Sequence, residues 1–85
     1  MALDILYFAW VREGIGLGSE RVDPPADVVT IADLIAWLAT RSPGHAGALG
    51  DPKRLRAAVD QNFVSLDTPI GQAREIALFP PVTGG

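Results

Sequence analysis

Apolar and polar positions in this chain recur with a period of two in some stretches and of three to four in others. Residues 3–12 hold aromatic and aliphatic side chains with one acid, Asp4, and no glycine or proline, and they read as a strand. Strand side chains alternate between faces, so one face would carry Leu3, Ile5, Tyr7, Ala9 and Val11. The other would carry Asp4, Leu6, Phe8, Trp10 and Arg12. Both faces are largely apolar, which implies burial on both sides or a face kept for a partner.

Gly14-Ile15-Gly16-Leu17-Gly18 follows. A dinucleotide-binding glycine loop would have to open a helix. Here Ser19-Glu20-Arg21-Val22-Asp23 and then Pro24-Pro25 come next, so the run reads as a hairpin loop into a second strand at residues 20–23. Thr30 then opens the clearest helix. Thr30-Ile31-Ala32-Asp33 has the form of a capping box with a shortened acid, and Asp33 suits the first-turn dipole. Ile31, Leu34, Ile35 and Leu38 fall at i, i+3, i+4 and i+7, forming one stripe. Arg41 is placed in the last turn and Ser42-Pro43-Gly44 at the stop. Trp37 lies off the stripe and is read as structural.

Gly44, Gly47, Gly50 and Pro52 argue against a long helix over 45–56 and leave room for a short turn at 46–49. His45, the single histidine, reads as a surface loop residue without a catalytic partner. Residues 56–59 read as a strand, Asp60-Gln61-Asn62 as a turn and residues 63–65 as a short return strand. After a turn at Asp67-Thr68-Pro69, residues 74–79 form the last strand, with Ile76 and Leu78 on one face and Ala77 and Phe79 on the other.

One main helix covers only one face of such a sheet. Its stripe would rest on Ile5, Tyr7, Ile76 and Leu78. The opposite face would then show Leu6, Phe8, Trp10 and Phe79, a patch suited to a partner protein.

Eighty-five residues make one small domain, with 48% hydrophobic and 20% charged residues. Having no cysteine, the chain excludes disulfides, thiolate metal sites and side-chain thiol chemistry. The net charge of −3, with no basic run longer than Lys53-Arg54, argues against nucleic acid. No window approaches the ~18 apolar residues of a membrane span, and the opening residues lack a signal-peptide pattern. A cytoplasmic domain without membrane contact is expected.

The chain closes on Pro80-Pro81-Val82-Thr83-Gly84-Gly85. Proline has no N–H for a ladder, so the final strand ends there. Residues 1–79 would form the domain and 80–85 an extended tail. From Val82 to Gly85 the tail would reach about 13 Å, at about 3.3 Å per residue. It is narrow enough for a tunnel that most side chains would block, and it carries the Gly85 carboxylate.

This order, with its Gly-Gly ending, resembles the ubiquitin-like β-grasp sulfur carriers, and among them the small subunits of molybdopterin synthase. Three motifs carry the resemblance: Phe8-Ala9-x-Val11-Arg12-Glu13, Ala58-Val59-Asp60-Gln61, and residues 75–85. The chain departs from the family at Asp60, where asparagine is usual, and at Ala73-Arg74, where a Gly-Asp turn is usual. The resemblance implies an α+β, β-grasp fold: a mixed sheet of four to five strands, one main helix on one face and an extended C-terminal tail.

It also implies a mechanism. An E1-like adenylating enzyme would consume ATP to activate Gly85, and sulfur from a persulfide would leave a C-terminal thiocarboxylate. With Gly84 passing the narrow tunnel, Gly85 would donate that sulfur to cyclic pyranopterin monophosphate inside the large catalytic subunit, on the way to the molybdenum cofactor. This chain would bind no cofactor or metal and would not be an enzyme on its own. The family assembles as a heterotetramer. By resemblance, Phe8, Arg12, Phe63 and Phe79 contact the large subunit and, in part, the activating enzyme, while Pro80, Pro81, Val82 and Thr83 follow into the tunnel. Trp10 joins the partner-binding set from strand alternation alone. Two other readings fit a Gly-Gly ending: a carrier for thiamine or tRNA thiolation or a ubiquitin-like modifier, and a plain β-grasp interaction module.

Overall fold

The computed structural model describes residues 2–81. Its elements run β1 (Leu3–Tyr7), α1 (Ala9–Ile15), β2 (Ser19–Val22), α2 (Ile31–Leu38), α3 (Pro43–Leu49), a 3₁₀ turn (Pro52–Arg54), β3 (Arg56–Val59), β4 (Asn62–Val64) and β5 (Glu75–Phe79). The five strands form one mixed sheet in the order β2-β1-β5-β3-β4. β5 lies parallel to β1 and antiparallel to β3, and both outer pairings are antiparallel.

Alternation decides what each strand buries. Ile5, Tyr7, Ile76 and Leu78 are all buried, as their shared face requires, and they join Ile31, Leu34, Ile35 and Leu38 of α2 in one core. The capping box at Thr30 is formed in both directions. The Asp33 N–H donates to the Thr30 hydroxyl (3.1 Å), and the Thr30 N–H donates to the Asp33 carboxylate (3.1 Å). The Thr30 N–H, joined by the Val29 N–H (3.1 Å), donates to the Asp33 carboxylate and holds it below its usual range. Trp37 is half-buried, with the Arg41 guanidinium 5.2 Å from its ring centroid.

The long first strand is a correction. It stops at Tyr7, and Ala9, at φ 54°, turns the chain into α1. Val11 is buried and Ile15 packs against the core from this helix. Trp10 and Arg12 therefore sit on a helix and not on the sheet's outer face. Gly16, at φ 89°, closes α1 with its N–H bonded to the Arg12 carbonyl. The glycine run is thus a helix terminus and not a hairpin loop, and β2 begins one residue earlier than expected.

The second correction is α3, which occupies the stretch expected to hold no more than a turn. Ser42 caps it and Pro43 opens it. A Cβ at Gly44 would lie 2.7 Å from the Gly14 carbonyl oxygen, so this glycine lets α3 approach α1 closely.

His45, far from being a surface residue, is buried at 6% exposure. Its Nε2 donates to the Glu20 carboxylate (2.6 Å), and its Nδ1 accepts from the Ser42 hydroxyl (2.7 Å). The Ser42 hydroxyl oxygen in turn accepts from the His45 N–H (3.1 Å). Tyr7 donates its hydroxyl to the same Glu20 oxygen (2.7 Å), and Arg41 lies 3.4 Å from the other. Among the described residues no buried side-chain nitrogen or oxygen lacks a partner. Burial, with the Glu20 hydrogen bond second, pushes the Tyr7 hydroxyl far above the usual tyrosine range. For Glu20, burial acts to raise the pKa, but the bonds from His45 and Tyr7 together with the nearby charges outweigh it and leave the carboxyl below its ordinary value of 4.5.

A folded-state pKa below the unfolded one gives stability that is complete above the ordinary carboxylate range and is lost as pH falls through the folded value. The melting temperature should therefore drop as pH is lowered below about 4.5. Glu20→Gln should flatten that slope and lower the melting temperature at pH 7, as read by circular dichroism.

Candidate functional site

Among the described residues, none of the helices covers the sheet face opposite α2. The ladder places Leu6, Ala77, Ala58 and Phe63 in one row across four strands, with Phe79 and Arg56 paired in the next. Alanines form its floor, Leu6 and Phe79 are half-buried, and Phe8 and Phe63 stand exposed at 47% and 82%. The Phe63 and Phe79 rings are tilted against each other with centroids 5.6 Å apart. A depression beside them is lined by Arg56, Ala57, Phe63, Val64 and Phe79.

Each aromatic owes its place to a local device. Phe8 follows β1, where its N–H donates to the Leu78 carbonyl (3.2 Å), so it sits at the end of the sheet where β5 finishes. Phe79 is the last residue of β5. Phe63 is presented by the hairpin at Asp60-Gln61, both at positive φ (47° and 73°). Asp60 ties that hairpin to the start of β5, because its Oδ1 accepts from the Arg74 N–H (3.1 Å) and the Glu75 N–H (3.0 Å). An asparagine oxygen could accept the same pair, so this departure from the family keeps the geometry. Ala73, the other departure, is a core residue at 6% exposure.

Phe8, Phe63 and Phe79 thus share the open face with Pro80 and Pro81, both half-buried, at the root of the tail. Arg12 does not lie on it: it is exposed on α1 with its guanidinium against Gly18. Trp10 is half-buried on α1 beneath the Arg54 guanidinium, 4.8 Å from its ring centroid. Val82, Thr83, Gly84 and Gly85 lie outside the described residues. Arg56 was missed by the sequence reading, although its place opposite Phe79 follows from the ladder once β3 and β5 are paired.

Ser42, His45 and Glu20 form a chain that superficially resembles a nucleophile–base–acid relay. Both ring nitrogens are occupied, however, the hydroxyl caps α3, and the histidine side chain is 7% exposed, so no substrate reaches it. Among the described residues no group of three metal-ligating side chains converges, and no helix is long and apolar enough to cross a membrane.

A mixed five-stranded sheet with its main helix on one face and its last strand central defines a β-grasp fold, here with aromatics around that strand's end. The chain belongs to the ThiS family, whose model matches residues 5–85. It is 45% identical to the molybdopterin synthase sulfur carrier subunit of Escherichia coli, over 98% of this chain and 99% of that one. In fold it matches a putative molybdopterin converting factor subunit 1 from Pyrococcus furiosus (TM-score 0.75, 24% identity, 96% and 99% of the two chains). It also matches SAMP1 from Haloferax volcanii (TM-score 0.72, 24% identity, all of both chains).

Asp60→Ala should lower unfolding free energy by about 1–3 kcal/mol, since two strand-start N–H groups lose their acceptor. Asp60→Asn should retain most of it. Urea denaturation of the two variants checks the difference.

Proposed function

We propose that this chain is the sulfur-carrying subunit of a molybdopterin synthase and works through a thiocarboxylate on Gly85. The observation that carries this reading is the uncovered aromatic face at the root of the Pro80-Pro81 tail. A protein gripping Phe8, Phe63 and Phe79 would receive the tail directly beside its own contact surface. The full-length likeness to the Escherichia coli carrier subunit supports the same reading.

The chemistry follows from the terminal carboxylate, which resonance and charge make a poor electrophile. An E1-like enzyme would couple the Gly85 carboxylate to the α-phosphate of ATP and release pyrophosphate. A donor persulfide would then attack the acyl carbon and expel AMP. Attack of a second donor thiol on the resulting acyl disulfide would leave the thiocarboxylate and a donor disulfide. In the large subunit, the thiocarboxylate sulfur would form a carbon–sulfur bond to cyclic pyranopterin monophosphate with displacement of an oxygen leaving group. Hydrolysis of the resulting thioester would leave the sulfur on the substrate and return the Gly85 carboxylate, with acid–base groups supplied by the large subunit. This chain contributes the nucleophile and the docking surface.

Three outcomes test this reading. Incubation with the activating enzyme, ATP and a sulfur donor should raise the intact mass by the difference between sulfur and oxygen, mapped to Gly85. Deleting Gly85 should abolish sulfur transfer with little change in melting temperature. Phe63→Ala should weaken binding to the large subunit by about 1–3 kcal/mol, as for an aromatic interface anchor. Because Phe63 is 82% exposed, its stability should hardly change. Isothermal titration calorimetry and thermal melts separate the two.

A further inference from the structure

Charge is distributed unevenly along this molecule, and the pattern deepens the carrier reading on which it rests. The end of the sheet where β5 finishes also holds the start of β3, the 3₁₀ turn and α1. Arg56 pairs with Phe79 across the ladder there, and Arg54 stacks over Trp10. Lys53 precedes Arg54 in the same turn, and Arg12 projects from α1. All four are exposed, and among the described residues no carboxylate forms an ion pair with any of them.

The chain nonetheless carries a net charge of −3, because seven of its ten acids lie towards the opposite end, while Asp51, which caps the 3₁₀ turn, and Glu13 on α1 sit beside the basic residues. Asp4 and Glu75 are paired at the other end of β1 and β5, and Asp60 is bonded to the start of β5. Asp33 caps the start of α2, which is bonded to the loop holding Asp67. Asp23 and Asp27 follow β2, whose last residue pairs with Leu3. The cations at that end are Arg21, bonded to Asp4, and Arg74.

We propose that Lys53, Arg54 and Arg56 form a cationic rim that docks against an acidic rim around the opening of the protein that receives the tail. Long exposed cations that form no ion pair among the described residues suit rapid, screened attraction at a surface. Beside them the aromatic patch supplies the desolvated centre of a protein interface, and the acidic far end opposes nucleic acid. Opposite charge at the two ends turns the tail-bearing end towards an acidic opening before contact. Such steering raises association rates by about 10- to 1,000-fold.

Stopped-flow association of the full chain with the large subunit of molybdopterin synthase from the same organism tests this, at about 20 and about 300 mM sodium chloride. The on-rate of the unsubstituted chain should fall at least about fivefold between the two salts. The double variant Lys53→Glu/Arg56→Glu should associate about tenfold more slowly at low salt and lose most of the salt dependence. Lys53→Gln/Arg56→Gln should fall between, with circular dichroism confirming the fold of each. Asp27→Lys/Asp67→Lys, at the far end, should change the on-rate less than about threefold.

A salt-independent on-rate, or rim variants that associate as fast as the unsubstituted chain, would overturn the rim and leave the carrier reading intact. A far-end variant with an effect as large as the rim variant's would overturn it too, because overall charge would then set the rate. No binding of the unsubstituted chain to the large subunit, with no gain of sulfur at Gly85, would overturn both.

Discussion

β5 is hydrogen-bonded along both edges, parallel to β1 and antiparallel to β3, and the architecture depends on that double pairing. With both edges engaged, the strand cannot slip without breaking two ladders, and a slip of one residue would send Ile76 and Leu78 outward and Ala77 and Phe79 into the core. The pairing therefore sets the inner face that α2 covers and the outer face that no described element covers. It also sets where the ladder must end, since Pro80 has no N–H to continue it. The tail's root is positioned by the most constrained strand in the molecule.

Elements whose signals are local were legible in the sequence. α2 has an uninterrupted stripe and a reciprocal cap, and β3 and β5 are short apolar runs between turns. α1 was not legible, because Tyr7, Val11 and Ile15 are spaced by four. That spacing satisfies a strand's alternation and a helix's stripe equally well over so short a window. The break at Ala9 leaves no trace in residue type, since alanine is not an expected left-handed residue. α3 did carry a signal, serine followed by proline at a helix start, but three glycines masked it. His45 had none: Glu20 lies 25 residues away, and no local pattern announces such a partner.

The candidate site divides along the same line. Phe8 and Phe79 followed from alternation and lie on the open face. Trp10 was assigned by extending β1 too far, and its ring is instead half-buried under Arg54. Phe63 came from family likeness alone, because its exposure depends on a hairpin whose two positive-φ residues, Asp60 and Gln61, are not a glycine turn. Arg56 became visible only with the strand order, which joins segments about 20 residues apart in the chain.

Phe63 sits on β4, an outer strand of the sheet, and so exposes an aromatic ring beside unpaired backbone groups. That combination invites chains to add to one another edge to edge. β4 is three residues long, and the reversal at Asp60-Gln61 bounds it on one side. Its free edge is too brief to template a neighbour of useful length. A surface that must be greasy enough for a partner to seize can thus remain bare between encounters without becoming the seed of a fibre.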